Sequence, residues 1–279
     1  MTNFDGKHWG GRRSVNGPYE IVANTFLKQA RKNLGAEGIV AVPNARGENH
    51  PLGAEYRYEE LRRMLGNSVA TINDRRAFYS PEKDIYIIKA QEVNANLKGE
   101  NVPILVYNLL FEHNLKESKG ISVKKCLDEA LEKDCIIGMT APSCSQQGLE
   151  YLSKENKDLL GFFDFVITYS GSALKTANKR AKAFYDNFVR DKEFESPLNE
   201  IHKIGSIAVS GGHRTPSVGS SYSNIKMPDI WGAKRDFFRE LKEGLRTSPK
   251  GFGNKERGIL FDTSKHMLAM LKDRIFGYK

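Results

Sequence analysis

The chain has 279 residues, 39% of them hydrophobic and 28% charged, which is ordinary for a globular protein and enough to bury a sizeable core. No apolar run approaches the ~18 residues of a membrane span, and Met1 to Asp5 carries no charged-then-apolar leader, so membrane insertion and secretion are not expected and a cytoplasmic protein is. A net charge of +9 favours polyanionic or phosphorylated partners through long-range attraction.

In chain order, Pro18 to Leu34 predicts a helix, with Pro18 in its first turn and Ile21, Val22, Phe26 and Ala30 on one face. Gly38 to Val42 reads as a strand and Tyr58 to Leu65 as a short helix. Ile85 to Val93 and Val102 to Tyr107 read as further strands. Ser122 is placed as the N-cap of a helix over Val123 to Lys133, and Cys135 to Met139 as the strand after it. Leu149 to Leu159 predicts a helix, Phe163 to Tyr169 a strand, Ala173 to Arg190 a long basic helix, and Ile204 to Val209 a strand. Asp229 to Leu245 predicts the last helix of the main unit. Cys126, Cys135 and Cys144 lack CxxC spacing and read as free thiols in a reducing compartment.

Strands alternating with helices point to a parallel sheet, open or closed into a barrel. Ser248 to Asn254 is turn-rich. The helix predicted from Thr263 to Phe276 carries Met267, Leu268, Leu271 and Ile275 on one face, as a helix packed on the main unit would. The expected division is a domain over residues 1–250 and a basic helical extension over 251–279.

Chemistry concentrates where strands open into loops. Ser210-Gly211-Gly212-His213-Arg214-Thr215-Pro216 follows the strand at Ile207-Ala208-Val209. Ile87-Ile88-Lys89-Ala90-Gln91-Glu92-Val93 ends on a carboxylate. Phe4-Asp5-Gly6-Lys7-His8-Trp9 precedes Gly10-Gly11-Arg12-Arg13 and Ser14-Val15-Asn16-Gly17-Pro18. Met139-Thr140-Ala141-Pro142 and Asp164 to Gly171, with Asn178 downstream, complete the set.

In their order these segments resemble the motifs of the PHP (polymerase and histidinol phosphatase) phosphoesterases over residues 2 to 250. The resemblance implies a distorted (β/α)7 barrel of the TIM type, with metals at the C-terminal ends of its strands. His8, Glu92 and His213 match ligand positions of that family. Gly6, Asn44, Ala141 and Gly211 stand where it has metal-binding side chains. Multinuclear phosphoryl chemistry needs several anionic and imidazole ligands converging from different strands, and these substitutions remove most of them.

Three readings follow. In the first, a metal-free scaffold binds a phosphate-bearing small molecule or nucleic acid, with Arg12, Arg13, Arg46 and Arg214 as phosphate contacts. Lys175, Lys179, Arg180 and Lys182 add charge on one helix. In the second, an enzyme of the phosphoesterase class holds one zinc or manganese ion on His8, Glu92 and His213, with His8 as a ligand or a general acid. In the third, the barrel is a structural or partner-binding unit. His8, Glu92 and His213 are the catalytic candidates of the second reading.

Overall fold

The computed structural model describes residues 38–45, 62, 70–72, 77–82, 84–107, 121–140, 156–171, 173, 175–209, 222–223, 225 and 237–247. Their strands are β1 (Gly38–Ala45), β2 (Ala70–Ile72), β3 (Ala77–Ser80), β4 (Ile85–Leu97), β5 (Glu100–Tyr107), β6 (Ile136–Met139), β7 (Phe165–Ser170), β8 (Phe194–Glu195), β9 (Ile201–His202) and β10 (Gly205–Val209). The α-helices whose bounds fall among the described residues are α1 (Val123–Glu132), α2 (Lys175–Phe184) and α3 (Phe237–Thr247). A 3₁₀ segment covers Lys157–Phe162, and a π-helical turn at Tyr185–Val189 prolongs α2.

Eight of these strands form one mixed sheet in the order β10-β7-β6-β5-β4-β3-β2, with β1 pairing β4 in parallel. The architecture is α/β with a curled sheet that makes part of a barrel. β4 is long enough to take β3 and β5 end to end along one edge, through Ile85–Ile88 and Ala90–Leu97 respectively.

The expectation of a parallel sheet is corrected here. β5 runs antiparallel to both β4 and β6, and β3 antiparallel to β2 and β4. The cause is the connection between β4 and β5, which is two residues long and so joins only antiparallel neighbours. Lys98 and Gly99 have φ of 50° and 92°, the left-handed pair that matches strand twist in a tight hairpin. The Gly99 N–H donates to Asn96 Oδ1 at 3.0 Å, which pins the turn. β6, β7 and β10 do run parallel, as the strand–helix alternation predicts.

The predicted strands at residues 38–42, 85–93, 102–107, 135–139, 163–169 and 204–209 all form, each displaced by a few residues at most. Ser122 caps α1 as expected, its hydroxyl accepting from Lys125 N–H at 3.2 Å, a contact worth about 1 kcal/mol. Of the helix predicted over 149–159 only residues 156–159 are described, and they open a 3₁₀ segment rather than continue an α-helix. Of the predicted helix at 58–65 only Arg62 is described, and it is helical. The predicted helices at 18–34 and 263–276, and the first turns of the one at 229–245, lie outside the described residues.

The sheet separates two apolar layers. On one side Val93, Val102, Ile104 and Ile137 pack under α1 through Val123, Cys126 and Leu127. On the other, Tyr86, Ile88, Leu105, Phe165 and Ile207 gather with Phe237, Leu241 and Leu245 of α3. Each fully buried side chain of this size contributes about 1.5–3 kcal/mol. Cys126 and Cys135 are buried free thiols, as expected of them; Cys144 lies outside the described residues.

Helix α3 crosses the N-terminal ends of the strands. Phe237 stacks on Tyr86 near the start of β4, with ring centroids 5.1 Å apart. Lys242 Nζ donates to the Cys135 carbonyl just before β6 at 3.5 Å, and Arg246 Nε meets Asp164 Oδ1 just before β7 at 2.7 Å. Gly205, the first residue of β10, lies so close to α3 that a Cβ there would sit 1.6 Å from the Leu245 carbonyl oxygen. One end of the sheet is thereby covered; at the opposite end β1, β6 and β10 run into residues outside the described set. Among the described residues no helix is long and apolar enough to cross a membrane.

Candidate functional site

Among the described residues, the end of the sheet left open by α3 is built from the C-terminal ends of β1, β6, β7 and β10 and the middle of β4. Alternation along β4 puts Tyr86, Ile88, Ala90 and Glu92 on the side that α3 closes below. Tyr86 touches α3, and Glu92 lies six residues further on, about 20 Å along the strand at the ordinary rise per residue. In register, Glu92 is flanked by Ala45 of β1 and Leu105 of β5. It is partly exposed and engaged with its surroundings. Glu92 thus stands toward the end of the sheet opposite α3.

Of the sequence-predicted site residues, Glu92 is the one described. His8, Arg12, Arg13, Arg46, His213 and Arg214 lie outside the described residues, as do Gly6, His50, Ala141 and Gly211. Their neighbours in the chain are informative. Ala45, the residue before Arg46, is the register partner of Glu92. Val209, four residues before His213, ends β10 beside Ser170 of β7. Among the described residues no three of His, Cys, Asp and Glu converge as a metal set.

Beyond β10, Ser223 is bonded back to the same strand. Pairing of β10 with β7 shifts register between Ile207 and Ala208, which frees the Ala208 peptide on the sheet edge. Ser223 fills that gap: its hydroxyl accepts from Ala208 N–H at 2.6 Å and lies 3.3 Å from the Ala208 carbonyl oxygen, to which it donates.

Asn178 has a structural role. Its amide donates to the Ser170 carbonyl at 3.0 Å and accepts from Ser170 N–H at 2.9 Å, mimicking a backbone pair with the last residue of β7. Asn178 is buried, and Ala181 and Phe184 follow it on the inward face of α2. This clamp fixes the first turn of α2 at the open end of the sheet. Beneath it, Thr168 and Ser206 share a buried hydrogen bond of 2.6 Å that ties β7 to β10.

Sequence reasoning missed three buried polar groups. Lys89 and Gln91 point to the other side of β4 from Glu92 and are each 1% exposed. Both are engaged by neighbouring groups. Only their interruption of an apolar run could have signalled them. Asp164 was read as part of the strand Phe163 to Tyr169 and of the segment that runs to Gly171. It is buried at the covered end, accepting from Ile137 N–H at 2.8 Å as well as from Arg246. Burial pushes its carboxyl upward, opposed by Lys242, Arg246 and the Ile137 N–H. It therefore belongs to the sheet's closed end and to its stability.

A groove of about 840 Å³ lies away from this end, on the outer side of α1, the 3₁₀ segment and the β8–β9 hairpin. Phe162, Phe188 and Phe194 line it, and Lys124 Nζ stands 5.0 Å from the Phe162 ring centre. Lys157 and Lys192 on its walls are offset by Asp158, Glu193 and Glu195. Its walls are electrically balanced.

No family model matches the chain, and no curated protein matches it. Among solved structures it is similar to PfuEndoQ, a lesion-specific endonuclease from Pyrococcus furiosus, at 14% identity and a TM-score of 0.49. The alignment covers 88% of this chain and 55% of that one, so the chain spans little more than half the length of that enzyme.

Proposed function

We propose that this chain is a degenerate member of the PHP family that binds a phosphate-bearing ligand or nucleic acid at the open end of its sheet, without multinuclear metal catalysis. The observation that carries the reading is the set of residues at that end. Where β1 stops, Ala45 pairs with Glu92; β6 stops at Met139, β7 at Ser170 and β10 at Val209. Among these described positions Glu92 is the one carboxylate. The chain continues from them into Arg46, Thr140-Ala141, Gly171 and Ser210-Gly211-Gly212-His213-Arg214. Guanidinium groups bind phosphate in bidentate fashion without a metal. In this reading residues 1–250 form a barrel domain and 251–279 a basic extension.

The chemistry of a two-metal site, in which paired cations hold attacking and leaving oxygens, requires bridging carboxylates on facing strands. One glutamate supplies one ligand. The second reading is a phosphoesterase with a single zinc or manganese on His8, Glu92 and His213, which matches the three-ligand pattern of catalytic zinc. It is favoured by the position of Glu92 toward the open end.

Elemental analysis of protein purified without chelator separates the two. Protein free of metal whose binding of inorganic phosphate is lost in Arg46→Gln/Arg214→Gln supports the first reading. Stoichiometric zinc or manganese that disappears in His213→Ala overturns it in favour of the second.

A further inference from the structure

We propose that the outer face of α2 is a track for the phosphate backbone of nucleic acid, leading to the open end of the sheet. Helix α2 reads Lys-Thr-Ala-Asn-Lys-Arg-Ala-Lys-Ala-Phe: four cations and no acid in ten residues. All four are exposed. Elsewhere in the described structure several exposed cations lie beside carboxylates, Lys124 with Asp128, Lys125 with Glu129 and Arg190 with Asp186, and those that do not, Lys157, Lys192, Lys203 and Arg239, are spread singly over separate segments. On α2 only Lys182 does so, with Asp186 at 3.0 Å. Lys175, Lys179 and Arg180 have no carboxylate partner among the described residues. A helix face that concentrates charge and leaves it uncompensated repels itself, and an external polyanion relieves that repulsion.

Placement gives the track a direction. The two Asn178–Ser170 hydrogen bonds hold the first turn of α2 at the strand ends. Lys175 therefore stands at that level, and Lys179 and Arg180 descend from it over about 8 Å at the helical rise. The positive end of the helix macrodipole lies at the same place as Lys175 and adds to its field. Between the cations the outward residue is Thr176, too small to keep a backbone away.

The same composition selects the partner. An anionic membrane surface would call for large apolar side chains interleaved with the cations, and α2 presents none outward: Phe184 is buried. A polymer with regularly spaced phosphates matches a row of uncompensated cations. The inference deepens the proposed function by choosing nucleic acid over a small phosphate ester, and rests on that reading only for the track's destination.

The test is fluorescence anisotropy of the full chain with labelled oligothymidylate and, separately, a labelled duplex, across a salt series. Lys175→Gln/Lys179→Gln/Arg180→Gln should weaken binding about ten-fold or more at moderate salt. It should also lower the slope of log affinity against log salt by about two for the single strand, from ~0.7 per phosphate released. Lys124→Gln/Lys125→Gln/Lys157→Gln removes the same charge elsewhere and should leave affinity within about two-fold.

Equal losses in both triple variants would show that net charge alone is at work and would overturn the track, as would oligonucleotide binding unaffected by the α2 changes. Release of the oligonucleotide by inorganic phosphate at low millimolar concentration, with no salt slope, would also overturn it. Loss on the α2 changes with none on Arg46→Gln/Arg214→Gln upholds the track and removes the binding site at the strand ends. The reverse pattern keeps that site and removes the track.

Discussion

Arg246 Nε lies 2.7 Å from Asp164 Oδ1, and both side chains are withdrawn from water, at 10% and 2% exposure. The pair joins α3 to the start of β7, and Ile137 N–H holds the carboxylate's other oxygen. Removing one partner leaves a buried charge uncompensated. Arg246→Met is therefore expected to cost about 3–5 kcal/mol. Urea unfolding followed by circular dichroism measures it, and a loss below about 1 kcal/mol would show that the pair does not hold α3 in place.

Gly205 gives an independent handle on the same junction. Its missing Cβ would meet the Leu245 carbonyl, a backbone atom that cannot swing away. Gly205→Ala should cost about 1–3 kcal/mol or more, since overpacking forces the backbone to shift. The cost should fall mainly on α3, read as faster hydrogen exchange of the Leu241–Leu245 amides than of β7. Uniform acceleration across both elements would contradict a local effect.

Two buried groups make the fold sensitive to alkali. Burial first, then Glu129 and Cys135, push the Cys126 thiol up to about 12. Burial raises the Tyr107 phenol as well. The unfolded chain loses these protons near the ordinary values of about 8.5 and 10, while the folded chain keeps them. The folded state then binds more protons, so their contribution is intact below about pH 8.5 and declines as pH rises toward 12. Each group adds a slope of about 1.4 kcal/mol per pH unit within its window. Urea midpoints from pH 8 upward should fall, and Cys126→Val should flatten the first part of the fall. A midpoint insensitive to pH in that range would rule the account out.

Asn178→Ala removes both hydrogen bonds to Ser170 and strands two backbone groups at the end of β7. A loss of about 1–3 kcal/mol is expected, by the cost of unsatisfied buried polar groups. Asn178→Asp keeps the acceptor and loses the donor, so it should fall between wild type and alanine by thermal unfolding.

Glu92→Gln separates the two functional readings without disturbing the core. If the open end binds phosphate through guanidinium groups, removing a nearby negative charge should tighten phosphate binding several-fold, as Coulomb's law requires of a neighbouring like charge. If Glu92 ligates a single metal, the same change should lower metal content and leave any metal-free phosphate binding unimproved. Calorimetry with inorganic phosphate and elemental analysis on the same preparation report both.

Local signals carried much of the fold. Ser122 announces α1, and the apolar runs at Ile136 and Ile207 announce their strands, because caps and strand propensity act within a few residues. The hairpin at Lys98-Gly99 was legible in principle: asparagine two residues before a Lys-Gly pair, between apolar runs, is turn chemistry. It was overlooked because alternation suggested parallel strands throughout. Arg246 looked like any charge near a helix end, since its partner lies 82 residues away and nothing local marks the pairing. Glu92 was found at a strand position facing the open end, while the register that sets Ala45 beside it is a tertiary fact no spacing reveals.

The closure of the sheet by α3 has a consequence for synthesis. Lys242 and Arg246 reach contacts 107 and 82 residues earlier in the chain. Emerging from the ribosome, the strands must therefore wait for residue 246 with Asp164 uncompensated and the apolar floor of the sheet exposed. Contacts of such separation form slowly, and apolar surface left exposed in that interval is the kind that aggregates or is bound by chaperones. Truncation before Phe237 would leave that state permanent.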